Sequence, residues 1–257
     1  MQRNRNFTAY QYRFRMPGDE TGGVGNFWYS FDYGLVHFVS MDGETDFPYS
    51  PEWPFVRDVA GTGETLPTED QTFVTDSGPF GEIDGNQWQV NSAYQQYQWL
   101  ENDLASVDRE KTPWVITMSH RPMYSSGVAS YQADLRNAFE ALLLKYNVDV
   151  YLSGHIHWYE RLYPLESNGV IDTSSIINHN TYRTGTGKSL VHIINGMAGN
   201  IESHSILSGE PLLNITAVLD QQHYGFSTFT FHENTATWQF IKGDGSGIGD
   251  EVTLIKG

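Results

Sequence analysis

The stretch Gly154-His155-Ile156-His157-Trp158-Tyr159-Glu160-Arg161 sets two imidazoles one residue apart, directly after an apolar run and a glycine. Neutral imidazole is a good ligand for borderline metals such as zinc, iron and manganese. Two histidines in this spacing on a turn can face neighbouring positions, one for each of two adjacent ions. Gly154 is expected to give the turn a backbone conformation closed to residues with a side chain. Tyr159, Glu160 and Arg161 follow at once. They can orient the imidazoles from behind or simply hold the turn. A His-x-His pair alone is common, so a packing role is the competing reading. A further histidine, His120, ends the run Trp114-Val115-Ile116-Thr117-Met118-Ser119 and weights the metal reading.

Residues so far apart in sequence need elements that bring them together. Ala93, Tyr97, Leu100, Leu104 and Val107 mark one face of a helix over 93–107. Pro113 ends any helix, and Trp114–Met118 reads as a short buried strand. Leu135, Phe139, Leu142 and Tyr146 mark a second helix over 131–146, and Val148–Leu152 a second strand. This order predicts a parallel pair joined by a crossover helix. His120 then lies just past the carboxyl end of one strand, and His155 and His157 past the end of the next. That edge is where open α/β sheets build their sites.

The flanks read differently. Phe27–Phe31 and Leu35–Met41 form a hairpin, with His37 a packed strand residue. Residues 47–91 are a long surface excursion, and 162–187 are loop-rich. Leu190–Ile194 is a strand. From Tyr224 onward the pattern alternates as an antiparallel meander, with turns at Glu233–Asn234 and Gly243–Gly249. His179, His192, His204, His223 and His232 are assigned structural or surface roles. No internal repeat or interdomain linker is visible.

Composition sets the outer bounds. The chain has 257 residues, enough for a real core, with 39% hydrophobic and 14% aromatic residues. A formal net charge of −16 argues against nucleic acid as a partner. A phosphate-handling site would need its own local positive charge, such as metal. There is no cysteine, so thiolate ligands and Cys nucleophiles are excluded. No apolar run has membrane-spanning length. Asn6 and Asn214 head glycosylation sequons, which matter only in a secreted protein.

Gly-His-x-His-x-Tyr-Glu-Arg at 154–161 resembles the motif of the purple acid phosphatases, within the calcineurin-like metallophosphoesterases. The segment Val115–Tyr124 resembles that family's strand-then-His segment. Further resemblance, in order, covers Arg13–Pro17, Phe27–Phe47, Gln96–Ile116 and His192–Asn200. It implies a mixed α/β fold: a metallophosphoesterase β-sandwich flanked by helices, with residues 1–257 part of one catalytic domain and 189–257 its carboxyl-terminal subregion. It implies a binuclear centre of Fe(III) beside Zn, Mn or Fe(II), and hydrolysis of phosphate monoesters at acid pH. His120 and His155 would bind the divalent ion, and His157 the ferric ion. A secreted glycoprotein is implied, with a homodimer possible and no membrane partner.

The sequence departs from the family text in one respect. The Gly-Asp-x-Gly, Gly-Asp-x-x-Tyr and Gly-Asn-His-Glu motifs do not occur in these residues. The expectation is a carboxyl-terminal portion lacking the amino-terminal strands, with those motifs and a signal peptide upstream. No catalytic residue is assignable, metal occupancy is at most partial, and the chain alone is expected to be inactive. The alternatives are a noncatalytic pseudo-enzyme or fragment acting as a binding module, and a phytase or phosphodiesterase of the same superfamily.

Overall fold

The computed structural model describes residues 13–23, 26–44, 95–126, 132–201, 203–209 and 211–257. Two helices and two main sheets are layered. Helix α1 spans Gln95–Ser106 and α2 spans Gln132–Lys145. Strands β1 (Tyr29–Tyr33), β2 (Val36–Ser40), β3 (Trp114–Ser119), β4 (Val150–Ser153), β5 (Tyr159–Leu162), β10 (Val191–Asn195) and β11 (Thr216–Asp220) form the first sheet. Its order is β1-β2-β3-β4-β10-β5-β11. Strands β2, β3, β4 and β10 run parallel, as the crossover reading requires.

The second sheet holds β12 (Gly225–Phe231), β13 (Thr235–Lys242) and β14 (Gly247–Lys256) as an antiparallel meander. It is extended by β9 (Thr181–Thr184), parallel to β14, and then by β8 (Ile176–Asn178). A small hairpin pairs β6 (Leu165–Glu166) with β7 (Val170–Ile171).

Period-two alternation divides the apolar side chains between two cores. On β3, Val115 joins the helix-side core with Leu100, Leu104, Leu135, Phe139 and Leu142. Its neighbours Trp114 and Ile116 turn the other way, into the core between the sheets with Trp238, Phe240, Val252 and Leu254. A strand buried on both faces reads as an unbroken apolar run, which is why Trp114–Met118 was legible.

Some expectations shift. The first hairpin lies two residues later at its start than the aromatic run suggests. Tyr33 pairs with Val36 across a two-residue loop whose Gly34 has φ +57°. The region 162–187 is not mainly loop but carries β6 to β9. Its strands are too short to show a period, and β9 owes its place to distant β14. The turn after β13 ends by Gly247, shorter than read. The excursion at 47–91 lies outside the described residues.

His37 is packed, as expected, and its surroundings explain why. The cross-strand register sets Asp32 opposite it, and Nδ1 lies 2.6 Å from Asp32 Oδ1. Nε2 lies 2.9 Å from Asp103 Oδ2 on α1. Asp103 also accepts a bond from Ser30 Oγ at 2.5 Å. Burial opposes a charge on His37, but the bonds to Asp103 and Asp32 outweigh it and raise its pKa. Asp32 in turn acts on Lys111, beyond α1, and helps raise its pKa after the larger effect of Asp108. A raised folded-state pKa gives stability that is full below about pH 6.5 and lost as pH rises through the folded value. Asp103→Asn should therefore lower stability by about 1–3 kcal/mol at pH 5. The deficit should shrink toward pH 9, measured by urea denaturation across that range.

Candidate functional site

The carboxyl ends of β3 and β4 bring His120 and His155 together. His155 Nδ1 lies 3.1 Å from His120 Nε2, with the rings edge to face. The backbone fixes this: Gly154 N–H donates to the His120 carbonyl at 3.0 Å. The turn then tightens through bonds from Ile156 N–H to Gly154 O and from Trp158 N–H to Ile156 O. His157 faces another way. Its Nδ1 lies 3.3 Å from the Ser203 carbonyl, and its N–H donates to Ser205 Oγ.

The strained residue is not the one the sequence suggested. His155 itself takes the left-handed conformation, φ +63°, whereas Gly154 does not. A Cβ at Gly154 would meet nothing nearer than the His120 carbonyl at 3.9 Å. A non-glycine residue in that region costs of order 1–3 kcal/mol and persists where its surroundings impose it. The glycine this turn requires is Gly196, where a Cβ would lie 1.9 Å from the Ile156 carbonyl oxygen.

Tyr159, Glu160 and Arg161 leave the turn as β5, and their side chains bond elsewhere than to the three histidines. Arg161 Nε and Nη2 grip Asp250 of β14 at 2.6 and 3.0 Å. Tyr159 donates to the same carboxylate at 2.8 Å. Glu160 points to the opposite face. It accepts from the Ser126 N–H at 3.1 Å, Trp158 Nε1 at 3.0 Å and Thr216 Oγ1 at 2.6 Å. Burial raises the Glu160 pKa, and the donors from Thr216, Ser126 and Trp158 oppose that rise. Of the two roles read from sequence, holding the turn is the one these contacts perform.

Burial lowers the pKa of His120 and of His155, and Arg121 acts on both in the same direction. Both shifts favour the neutral imidazole, the form that binds metal. Two nitrogens each about 2.0–2.1 Å from one tetrahedral zinc lie roughly 3.3 Å apart. The 3.1 Å pair is near that spacing. His157 Nδ1 does not converge with them, and no group of three or more His, Cys, Asp or Glu among the described residues is arranged to hold a metal ion. The described residues thus fit two ligands of one ion and do not make a complete binuclear set.

Two neighbours lie beside the pair. Glu44, a carboxylate just past β2 to which the family motif assigns no role, lies 3.7 Å from His120 Nε2. Arg121 sits between Glu44 and His155, with Nε 2.9 Å from Glu44 Oε1 and Nη1 3.0 Å from His155 Nε2. Glu44 follows a strand end, which was a usable signal. Arg121 gave only its adjacency to His120. Among the glycosylation candidates, Asn214 is exposed in the turn before β11, and Asn6 lies outside the described residues.

Truncating Glu160 tests the turn-holding role. Glu160→Ala would strand three donors in a buried place and should cost about 3 kcal/mol or more of unfolding free energy. Chemical denaturation measures it, and a loss below about 1 kcal/mol would contradict the assignment.

Comparison with known proteins gives this arrangement a lineage. Residues 3–159 match the family described as calcineurin-like phosphoesterase. Residues 189–251 match the family described as iron/zinc purple acid phosphatase-like protein C. An acid phosphatase of Aspergillus ficuum is 67% identical over 254 residues, covering 98% of this chain and 41% of that protein. Acid phosphatase A of Cryphonectria parasitica is 37% identical over 253 residues, covering 97% and 43%. The chain thus spans about two-fifths of the length of these curated relatives. The purple acid phosphatase of yellow lupin (Lupinus luteus) seeds shares the fold, with a TM-score of 0.64 at 21% identity over 97% of this chain and 35% of that one. No helix among the described residues is long and apolar enough to cross a membrane. The chain belongs to the calcineurin-like phosphoesterase family, and its carboxyl-terminal region is of the purple acid phosphatase type.

Proposed function

We propose that this chain carries the imidazole half of an acid phosphatase site that hydrolyses phosphate monoesters. The convergence of His120 Nε2 and His155 Nδ1 at the carboxyl edge of the parallel strands carries the reading. The names of the curated relatives support it. In this proposal His120 and His155 hold a divalent ion such as zinc, manganese or iron(II), and His157 belongs to an adjacent iron(III). Such ions, when bound, neutralise charge on the transferring phosphoryl group and activate a water. The chain's own residues hold the imidazoles in place: Gly154 N–H ties the two ligand segments, and Glu160 ties both to the body of the fold. A secreted glycoprotein, modified at exposed Asn214, is part of the same proposal, as is association into a homodimer.

A second reading is a noncatalytic module that binds a single ion or an anion. It is favoured by the geometry of the donor set, because two imidazoles converge and the third faces Ser203.

Cobalt(II) titration followed by its visible absorption, together with turnover of an aryl phosphate near pH 5, separates the readings. The hydrolase reading expects turnover and a loss of cobalt affinity of about 10–100-fold or more in His155→Ala. Cobalt binding at one ion per chain without turnover supports the module. Wild-type binding that His155→Ala leaves unchanged would overturn both.

A further inference from the structure

The imidazoles of this edge differ in where their protons sit, and the partner of each ring decides it. A metal-binding histidine ordinarily donates its second ring N–H to a carboxylate, a backbone carbonyl or water, and ligates through the other nitrogen. His157 follows that rule. Its Nδ1 lies 3.3 Å from the Ser203 carbonyl, which only accepts. The proton of the neutral ring is therefore on Nδ1, and Nε2 is the nitrogen that can ligate.

His155 breaks the rule. Its Nε2 lies 3.0 Å from Arg121 Nη1. A guanidinium is a planar fork of five N–H donors that stays charged and accepts nothing. His155 Nε2 must therefore accept, and the neutral ring carries its proton on Nδ1. That nitrogen lies 3.1 Å from His120 Nε2. The pair is thus one N–H···N hydrogen bond, donated by His155 Nδ1 to His120 Nε2. One of the two converging nitrogens carries a proton, and the lone pair of the other receives it.

Arg121 is fixed in the place from which it imposes this. Its Nε faces both oxygens of Glu44, at 2.9 and 3.0 Å. The Tyr151 hydroxyl donates to its carbonyl at 2.7 Å. The loop bearing Glu44 can lie this close because its neighbour is glycine: a Cβ at Gly43 would meet Ser119 Oγ at 2.1 Å. The Arg121 side chain is 13% exposed.

We propose that Arg121 is a positioning residue that holds His155 in the tautomer protonated at Nδ1, and so weakens the binding of a divalent ion by the His120–His155 pair. This rests on the reading of that pair as ion ligands. Ligation through His155 Nδ1 requires the proton to leave that nitrogen. It passes through solvent to Nε2, where the new N–H would face the N–H of Arg121. The guanidinium has to withdraw for that exchange. Its charge also opposes a second cation beside it.

Two measurements test this, with Arg121→Gln and Arg121→Lys beside wild type. One is nitrogen-15 NMR of the imidazoles in the chain stripped with chelator, the His155 signals being those lost in His155→Ala. The other is cobalt(II) titration followed by visible absorption. Wild type should show His155 protonated at Nδ1. A glutamine oxygen can accept from Nε2–H, so Arg121→Gln should move the proton to Nε2 and tighten cobalt binding by about tenfold or more. Arg121→Lys still offers only donors and should keep the wild-type tautomer. An arginine that only ties β2 to β3 predicts the opposite sign, because loosening the edge would weaken cobalt binding. Circular dichroism and melting establish that each variant is folded. A wild-type His155 protonated at Nε2, or cobalt binding in Arg121→Gln no tighter than in wild type, overturns the proposal. Tighter cobalt binding in Arg121→Gln without aryl-phosphate turnover keeps this inference and sinks the hydrolase reading. Turnover with cobalt affinity unchanged in Arg121→Gln does the reverse.

Discussion

The Arg161–Asp250 ion pair ties the two sheets together, with the arginine side chain wholly buried and the aspartate 4% exposed. Taking two charges out of water costs several kcal/mol per ion, and the cost is repaid only where geometry is good and every remaining donor is met. Both conditions hold. The contact is two-pronged, and the other guanidinium nitrogens reach the His179 carbonyl, Asn180 and Tyr182. Trp238 Nε1 completes the group by donating to Tyr159. Such a pair adds little net stability over a hydrophobic substitute. It specifies which residue of β5 meets which residue of β14, and strand alternation then sends Glu160 to the opposite layer.

The histidine turn depends on that placement. It leaves β4 and enters β5 within five residues, so fixing β5 fixes where the turn ends. Glu160 then draws in Ser126 and Thr216, and with them the chain that follows His120. The strained φ of His155 is held from both sides by backbone that cannot relax. The Tyr-Glu-Arg of the motif therefore serves the imidazoles by architecture, through contacts to two different layers, without touching a ring.

Electrostatics completes the arrangement. Burial and Arg121 both lower the pKa of His120 and His155, which favours the neutral form that binds metal. Glu44 balances Arg121 and keeps a cationic fork tolerable at the edge of the core. One imidazole pair and one guanidinium thus share a small space at the carboxyl edge of the parallel strands, where α/β folds place ligands.

What the sequence revealed follows from which interactions are local. The helices and the strands at 114–119 and 150–153 were readable because burial writes a short apolar period. The nearness of His120 to His155 followed from parallel topology. The strands at 165–184 were hidden because they are too short to show a period, and β9 also pairs with distant β14. The roles of Glu44 and Arg121 were hidden because their contacts join β2 to β3 across 77 positions of chain. Gly154 drew attention through its motif, yet the close approach is at Gly196, which only the packing of Ile156 against it reveals. The direct test of the central claim is hydrogen exchange read by mass spectrometry on Asp250→Asn. If β5 positions the histidine turn, protection of residues 154–158 falls together with that of β5 and β14. A variant in which β5 and β14 exchange faster while the turn keeps its wild-type protection would contradict it.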